Sequence, residues 1–397
     1  MIVLVHIRDY FGIKVTSKII PEPWYNKTIN GYPRQCILHK ETFSEIRQFP
    51  IYAEVLSQTM ARFPFRKISL NQSLFNQTST YYILENVIVN QYGATIWRNN
   101  WINYPYETHY RMSHGIIVKE FKEAIYLSNN YMKMYAHIFL DLFAPFILLP
   151  EEVKRKYPLV TGAKLRLVAE IYTTLGYNAK NLYQFPSAND FVMIHKMHTV
   201  YGFNQVNGHI GISLQNLREK LKGPLNLDLV PPNRYILFNR KRTEMRYLIN
   251  FDELCSDVKN KYKYPWEIVT DIPKGLNNTA KAWNSVKLVF GATGSTFANA
   301  IFMQNASVAC MHLANWYDIP AMQTCLSYGV KIFVSDTNTC KHFSHGTCKA
   351  LISSSLASIG RALAYLNQQA NNETTYSRVI ASPYNYSIIT ADNITTV

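Results

Sequence analysis

Apolar and polar positions fall into two differently patterned stretches. Up to residue 80, proline, aromatic and polar residues mix without a clear period. Tyr82–Val89 (YILENVIV) then predicts a strand, and Ala94–Arg98 its partner across Gln91-Tyr92-Gly93. Glu123–Leu127 predicts another short strand. Met132–Leu149 is almost unbroken in apolar residues. It predicts a helix, kinked or ended near Pro145 and stopped by Pro150. Leu165–Leu175 has helical spacing and ends at Gly176, a residue that suits a helix C-terminus. Asp190–Val200 predicts a strand.

The second half punctuates more regularly. Ser213 is the expected cap of a helix running to Lys222, ended by Gly223-Pro224. Arg234–Asn239 (RYILFN) predicts a buried strand. Asn250 predicts the next helix start, with Glu253 completing a variant of the capping box. Trp266–Asp271 predicts a strand, Leu276–Ser285 a helix, and Val286–Phe290 a strand running into Gly291-Ala292-Thr293-Gly294-Ser295-Thr296. Phe297–Met303 predicts a short helix. Ser307–His312, Asp318–Leu326 and Val330–Val334 predict strand, helix and strand. Ser354–Asn367 predicts a last helix with Ile359, Leu363 and Leu366 on one face. Strand–helix alternation implies an α/β fold with parallel sheets covered on both faces. The expected division is an N-terminal domain at 1–205, a C-terminal domain at 206–367 and a polar tail at 368–397. Ligands are expected at the carboxyl ends of the strands, in a cleft between the halves.

Composition narrows the classes. Of 397 residues, 48% are apolar, 14% aromatic and only 17% charged, which excludes a disordered chain. The longest apolar run, Tyr135–Leu149, is broken by His137 and Asp141 and is too short for a membrane span. The opening Met1–Val5 turns polar at His6 and Arg8, so neither a leader nor a membrane anchor is read in this chain. The net charge of +15 favours anionic partners. The cations are dispersed, with small clusters at Lys154–Lys156 and Arg240–Arg246. No helix-turn-helix, zinc-finger or RNA-binding signature appears, so no nucleic acid is expected as partner. Six cysteines allow three disulfides of undetermined pairing, or free buried thiols. Glycosylation sequons at Asn26, Asn71, Asn76, Asn277, Asn305, Asn372, Asn385 and Asn393 favour a secretory-pathway lumen.

Four constellations could carry chemistry. Gly291–Thr296 follows a strand and opens a helix, so close backbone approach and free N–H groups suit a diphosphate. It is neither a P-loop nor a dinucleotide fingerprint, and a tight βα turn explains it as well. Asn239–Arg246 puts four basic side chains after a strand, with Arg240 and Arg246 the best phosphate ligands, unless the turn is merely solvated. His137 and Asp141 lie one helical turn apart in an apolar helix. They read as a general base with its orienting partner, or as a mutually satisfied core pair. Cys340–Cys348 holds two cysteines and two histidines, but the loop is cramped for zinc and a disulfide or separate thiols suit it better. The chain contains no Asp-x-Asp pair, the usual holder of a metal–diphosphate, and no Gly-x-Ser-x-Gly elbow.

In this order, these pieces resemble the family 61 glycosyltransferases, from about Tyr81 to Val334. That family includes plant xylan xylosyl- and arabinosyltransferases and animal O-linked N-acetylglucosaminyltransferases. Tyr135–Asp141 resembles its aromatic-x-His-x-x-x-Asp helix. Arg240 through Arg246 to Glu253 resembles its Ser-Arg…Arg…Asn-x-x-Glu run. Gly291–Met303 resembles its Gly-x-His-Gly-Ala-x-Leu-x-Asn-x-x-Phe-Met motif, with Thr293 in place of the His. The acidic residue expected after the following strand is replaced by Cys310 or a neighbour.

The resemblance implies a GT-B architecture of two Rossmann-like domains. It implies inverting, metal-independent transfer from a UDP-sugar to a hydroxyl of a glycan or glycoprotein in the endoplasmic reticulum or Golgi lumen, with no cofactor beyond the donor. It implies donor binding by Arg240, Arg246, Thr293, Gly294, Ser295 and Asn299, and base chemistry at Asp141 or His137. The exchange of an imidazole for the Thr293 hydroxyl keeps a second reading open: an inactive family member that binds nucleotide sugar or glycan.

Overall fold

The computed structural model describes residues 78–93, 95–97, 100–102, 115–129, 131–163, 165–187, 190–202, 212–304, 307–313, 319–336 and 347–371. It adds the short strands β1 (Ile13–Lys14), β2 (Ile37–Ser44), β3 (Ala53–Val55), β17 (Ile388–Ile389) and β18 (Ile394–Thr395). The chain divides into two units. One is Met1–Ser44 with Gln77–His209, the other Glu45–Asn76 with Ile210–Val397.

The first unit is built on a long antiparallel pair, β4 (Thr78–Asn90) and β11 (Asp190–Gly202). As predicted, β5 (Thr95–Trp97) returns antiparallel beside β4, and β6 (Asn100–Ile102) follows it. β2 pairs antiparallel with the first half of β4, on the same edge as β5. On the far side, β7 (Gly115–Phe121) and β8 (Ala124–Tyr126) join β11 in parallel, and β9 (Leu159–Thr161) and β10 (Leu182–Gln184) continue the sheet. The sheet is therefore mixed, and the all-parallel expectation fails for this half. Hairpin connections need only a tight turn, so β4 and β5 pair antiparallel, while β8, β9 and β10, separated by helices, run parallel. Leu84, Val87, Val89, Ala124, Tyr126, Val160 and Val192 form part of its core.

The apolar helix of this unit runs as α1 (Tyr135–His137), a π turn (Ile138–Phe143) and α2 (Ala144–Leu148). The expected break at Pro145 is thus absorbed just upstream. Pro145 has no N–H for the carbonyl four residues back, and the Ala144 N–H reaches five back, to Phe139. Pro150 ends the run as predicted and caps α3 (Glu151–Lys156). α4 (Leu165–Thr174) closes at Gly176, whose φ of +84° lets the Tyr177 and Gly176 N–H groups bond back to Tyr172 and Thr173.

The second unit is built on a wholly parallel sheet, apart from the short antiparallel pair β17 and β18. After α5 (Ile212–Lys222) come β12 (Arg234–Phe238), α6 (Phe251–Lys261), β13 (Trp266–Val269), α7 (Leu276–Asn284) and β14 (Val286–Ala292). A 3₁₀ helix (Ser295–Phe302), β15 (Val308–Leu313), α8 (Ile319–Ser327), β16 (Lys331–Asp336) and α9 (Ile352–Asn371) complete it. The spatial order is β13-β12-β14-β15-β16, with β3 added beside β16. This is the doubly wound order 2-1-3-4-5, whose direction of winding reverses between β12 and β14. Leu237, Leu288, Phe290 and Phe333 from the sheet pack with Leu254 and Val258 of α6 and Ile359, Leu363 and Leu366 of α9.

Three local expectations are corrected here. α5 starts at Ile212, so Ser213 lies in its first turn rather than at its cap. The helix after the glycine loop is 3₁₀ and starts at Ser295, ahead of Phe297. Asn250 precedes α6 but makes no capping bond with its side chain. Its amide instead holds Ala350, accepting from the backbone N–H at 2.8 Å and donating to the carbonyl at 3.0 Å.

Candidate functional site

In the second unit, two loops leave the carboxyl ends of β12 and β14, the strands that flank the reversal of winding. In an open α/β sheet such a switch point is where a crevice forms. The first loop, Arg240–Tyr247, is tied at its base by Asn239, a buried residue. Asn239 Oδ1 accepts the N–H groups of Arg240 (2.9 Å) and Leu248 (3.0 Å), and Nδ2 donates to the Leu248 carbonyl (3.0 Å). One side chain thus closes the loop like a rung of a sheet. Leu248 also bridges Cys348 in parallel, and the Cys348 N–H donates to Tyr247 O at 2.7 Å.

The second loop runs through Thr293 and Gly294 into the 3₁₀ helix. Gly294 has φ +136°, a conformation that side-chain-bearing residues rarely adopt. A Cβ there would lie 2.2 Å from Arg240 Nη2 and 2.8 Å from Arg246 Cζ and Nη1. Both guanidinium groups therefore press on the glycine backbone, and Arg240 Nη2 donates to Thr293 O at 3.4 Å. Arg246 itself has φ +64°, a left-handed backbone that is uncommon for such a residue. Thr293, wholly buried, extends the β14 ladder through its N–H to His312 O at 2.9 Å, and its hydroxyl has no partner among the described residues. Asn299 is buried and its amide donates to Thr296 O at 2.9 Å, so it shapes the 3₁₀ turn. The structure thus brings Arg240, Arg246, Thr293 and Gly294 together, with Ser295 next in the chain, and gives Asn299 a structural bond.

In the first unit, Asp141 lies in the π turn with its side chain 2% exposed. Asp141 Oδ2 accepts from Asn129 Nδ2 at 2.8 Å and bonds His137 Nδ1 at 2.5 Å. The Tyr131 ring stacks on His137 with centroids 5.0 Å apart. His137 keeps 15% side-chain exposure, and its Nδ1 is engaged by the carboxylate, which leaves Nε2 as the nitrogen for other work. Asp141 Oδ1 has no partner among the described residues. Asn129 was not singled out from the sequence. Its signal is the Asn at the end of a short strand followed two residues on by an aromatic N–H.

Elsewhere, Glu123 receives Lys196 (2.7 Å) and His198 (2.8 Å). Burial raises its pKa, but hydrogen bonds from Lys196, His198 and Tyr157 outweigh that and hold it down at about 2. His195 bonds Glu120 and Asn86. Burial pushes the Cys310 thiol up to about 12 and the imidazole of His312 down to about 4. Cys255, Cys310 and Cys325 are buried thiols, while Cys348 is in a disulfide. A disulfide sulfur is not a thiolate ligand, so Cys348 does not serve the zinc reading; Cys36, Cys340, His342 and His345 lie outside the described residues, as do the sequons other than Asn277. Among the described residues no group of three His, Cys, Asp or Glu could hold a metal ion. None of the described helices is long and apolar enough to cross a membrane.

A doubly wound α/β unit with two cations at its switch point has the form of an anion- or nucleotide-handling protein. Residues 135–310 match the family model Glycosyltransferase 61, and over this stretch the chain is similar to that family. The matched stretch opens at Tyr135 and closes at Cys310, so it takes in each of the eight candidate residues. No curated protein matches the chain.

Proposed function

We propose that this chain transfers a sugar from a UDP-sugar to a hydroxyl of a glycan or glycoprotein, by a single inverting displacement that uses no metal. The carrying observation is the convergence of Arg240 and Arg246 on Gly294 at the carboxyl ends of β12 and β14. A glycosyl C1–O bond breaks with its electron pair passing to the β-phosphate, and that developing charge needs fixed cations or dipoles. The two guanidinium groups and the N–H groups at Gly294 and Ser295 suit this role. His137 Nε2 takes the proton of the acceptor hydroxyl as its oxygen bonds C1. Asp141, held on Nδ1, orients the ring and stabilises the imidazolium, the division of labour found in nucleophile–His–Asp sites. The GT-B arrangement belongs to this proposal, with one α/β unit serving the donor and the other the acceptor. So does an oxidising lumen such as the endoplasmic reticulum or Golgi, which the disulfide at Cys348 and the exposed sequon Asn277 favour. The retained pairing of His137 with Asp141 and of both arginines with Gly294 favours turnover over an inactive binder.

The test is a UDP titration of the parent, Arg240→Ala and Arg246→Ala. Hydrogen bonds to charged groups are worth ~1.5–3 kcal/mol, so each variant should lose about tenfold or more in affinity. Unchanged affinity in the folded double variant would remove the donor site. A panel of UDP-sugars with UDP release as readout then identifies the donor. That activity should be equal in EDTA and in manganese, and a requirement for manganese would end the metal-free mechanism.

A further inference from the structure

The general base does not stand on its own helix alone. Asn129 follows β8, outside the stretch that matches the family model. Its Oδ1 accepts the Tyr131 N–H at 2.8 Å, which fixes the orientation of the amide. A backbone N–H can only donate, so the oxygen must face Tyr131 and the NH₂ must face Asp141. The Nδ2–Asp141 Oδ2 contact is therefore a donated hydrogen bond, buried and 2.8 Å long.

The segment carrying Asn129 is itself wedged in place. The Ser128 hydroxyl donates to Gln91 O at 2.5 Å and accepts the Gly162 N–H at 3.0 Å. A Cβ on Gly162 would lie 2.2 Å from Gln91 O and 2.8 Å from Ser128 Oγ. The turn after β4, the end of β8 and the end of β9 thus meet without room for one methyl group.

We infer that Asn129 is a positioning residue for the His137–Asp141 pair, setting its proton affinity and its aim. The inference rests on reading His137 as the base. Tyr131 stacks on His137, while Tyr135 of the same helix feels the charge of Glu170 on α4. A donated N–H favours the charged, deprotonated pair. Taking it away lets the pair hold its proton more tightly, so its apparent pKa rises.

Asn129→Asp tests this directly. It keeps the Oδ1 acceptor for Tyr131, loses the donor to Asp141 and adds a negative charge. The histidines are labelled with ¹³C at Cε1, and His137 is assigned by its absence in His137→Gln. The pair should then titrate about one pH unit higher in Asn129→Asp than in the parent, since one unit corresponds to 1.36 kcal/mol and a charged hydrogen bond is of that order. His195 and His312 should stay where they are. Asn129→Ala, which loses both bonds, should move the pair in the same direction. A pair that titrates unchanged, or lower, in a folded Asn129→Asp overturns the inference. No substrate is needed, so failure here is distinct from failure of the base assignment. A His137→Ala variant that transfers sugar at the parent rate would overturn the base assignment, and the titration would stand.

Discussion

Glu123 and Asp141 are both enclosed carboxylates, yet they stand in opposite company. Glu123 meets an ammonium and an imidazole, whereas Asp141 meets an amide and an imidazole. A cationic partner such as the Lys196 ammonium holds the Glu123 carboxylate ionised. The pH dependence of stability follows for Glu123. Its folded pKa of about 2 lies below the ordinary 4.5, so its contribution is complete above about 4.5 and is lost as pH falls towards about 2. Glu123→Gln should melt below the parent at neutral pH, and the gap should close as the pH is lowered through that window. Melting curves for both proteins across acid pH give the comparison, and a gap that stays constant would remove Glu123 as a stabilising ion. At this scale the sequence was informative about identity more than partnership. His137, Asp141, Arg240 and Arg246 were legible because their spacing relative to strands and helices implied chemistry. Asn129, Asn239 and Asn250 were not, because an amide reads alike whichever backbone it clamps.

Among elements, the loop Arg240–Tyr247 shows how a parallel strand can end without fraying. Its neighbours supply the missing ladder: Asn239 holds Leu248, and Leu248 bridges Cys348. Asn239→Ala leaves the Leu248 N–H and carbonyl, both in a buried setting, without that partner. Each unsatisfied group costs about 1–3 kcal/mol. The variant should therefore lose at least ~2 kcal/mol in urea unfolding with an unchanged m-value, and should bind UDP more weakly although Asn239 is not a proposed ligand. Full stability together with full UDP affinity would show that the loop closes without it. The elements of the second unit were largely legible, since apolar strands bounded by glycines and amphipathic helices alternate there, and a parallel sheet follows from that alternation. The first unit was read less well. Its β4–β11 pairing joins strands separated by most of the unit, and no local pattern encodes which distant strand lies alongside. The π turn was hidden for a different reason. The sequence shows that Pro145 lacks a donor, and the helix can meet that lack by kinking, ending or widening.

At the scale of the whole molecule, the two units divide the candidate residues between them. His137 and Asp141 belong to the mixed sheet's unit, and Arg240, Arg246 and Gly294 to the parallel sheet's unit. The family match spans both, and it stops short of α9, whose apolar face nonetheless covers the parallel sheet. Stability and binding can therefore be examined within one unit, and Arg246 is where they conflict. It holds a left-handed backbone and brings a second positive charge against Gly294 beside Arg240. Left-handed geometry costs a side-chain-bearing residue roughly 1–2 kcal/mol, and like charges at close range repel. Arg246 carries the first cost in the folded protein, and a bound dianion would accept hydrogen bonds from both guanidinium groups. Arg246→Asn, whose side chain tolerates φ > 0 and is neutral, should melt about 2–4 °C above the parent without ligand while gaining less from added UDP. If it melts lower, Arg246 is a structural residue that also happens to lie near the site. If it melts higher, the protein gives up stability at one residue to keep an anion site, the trade between stability and activity drawn in a single loop.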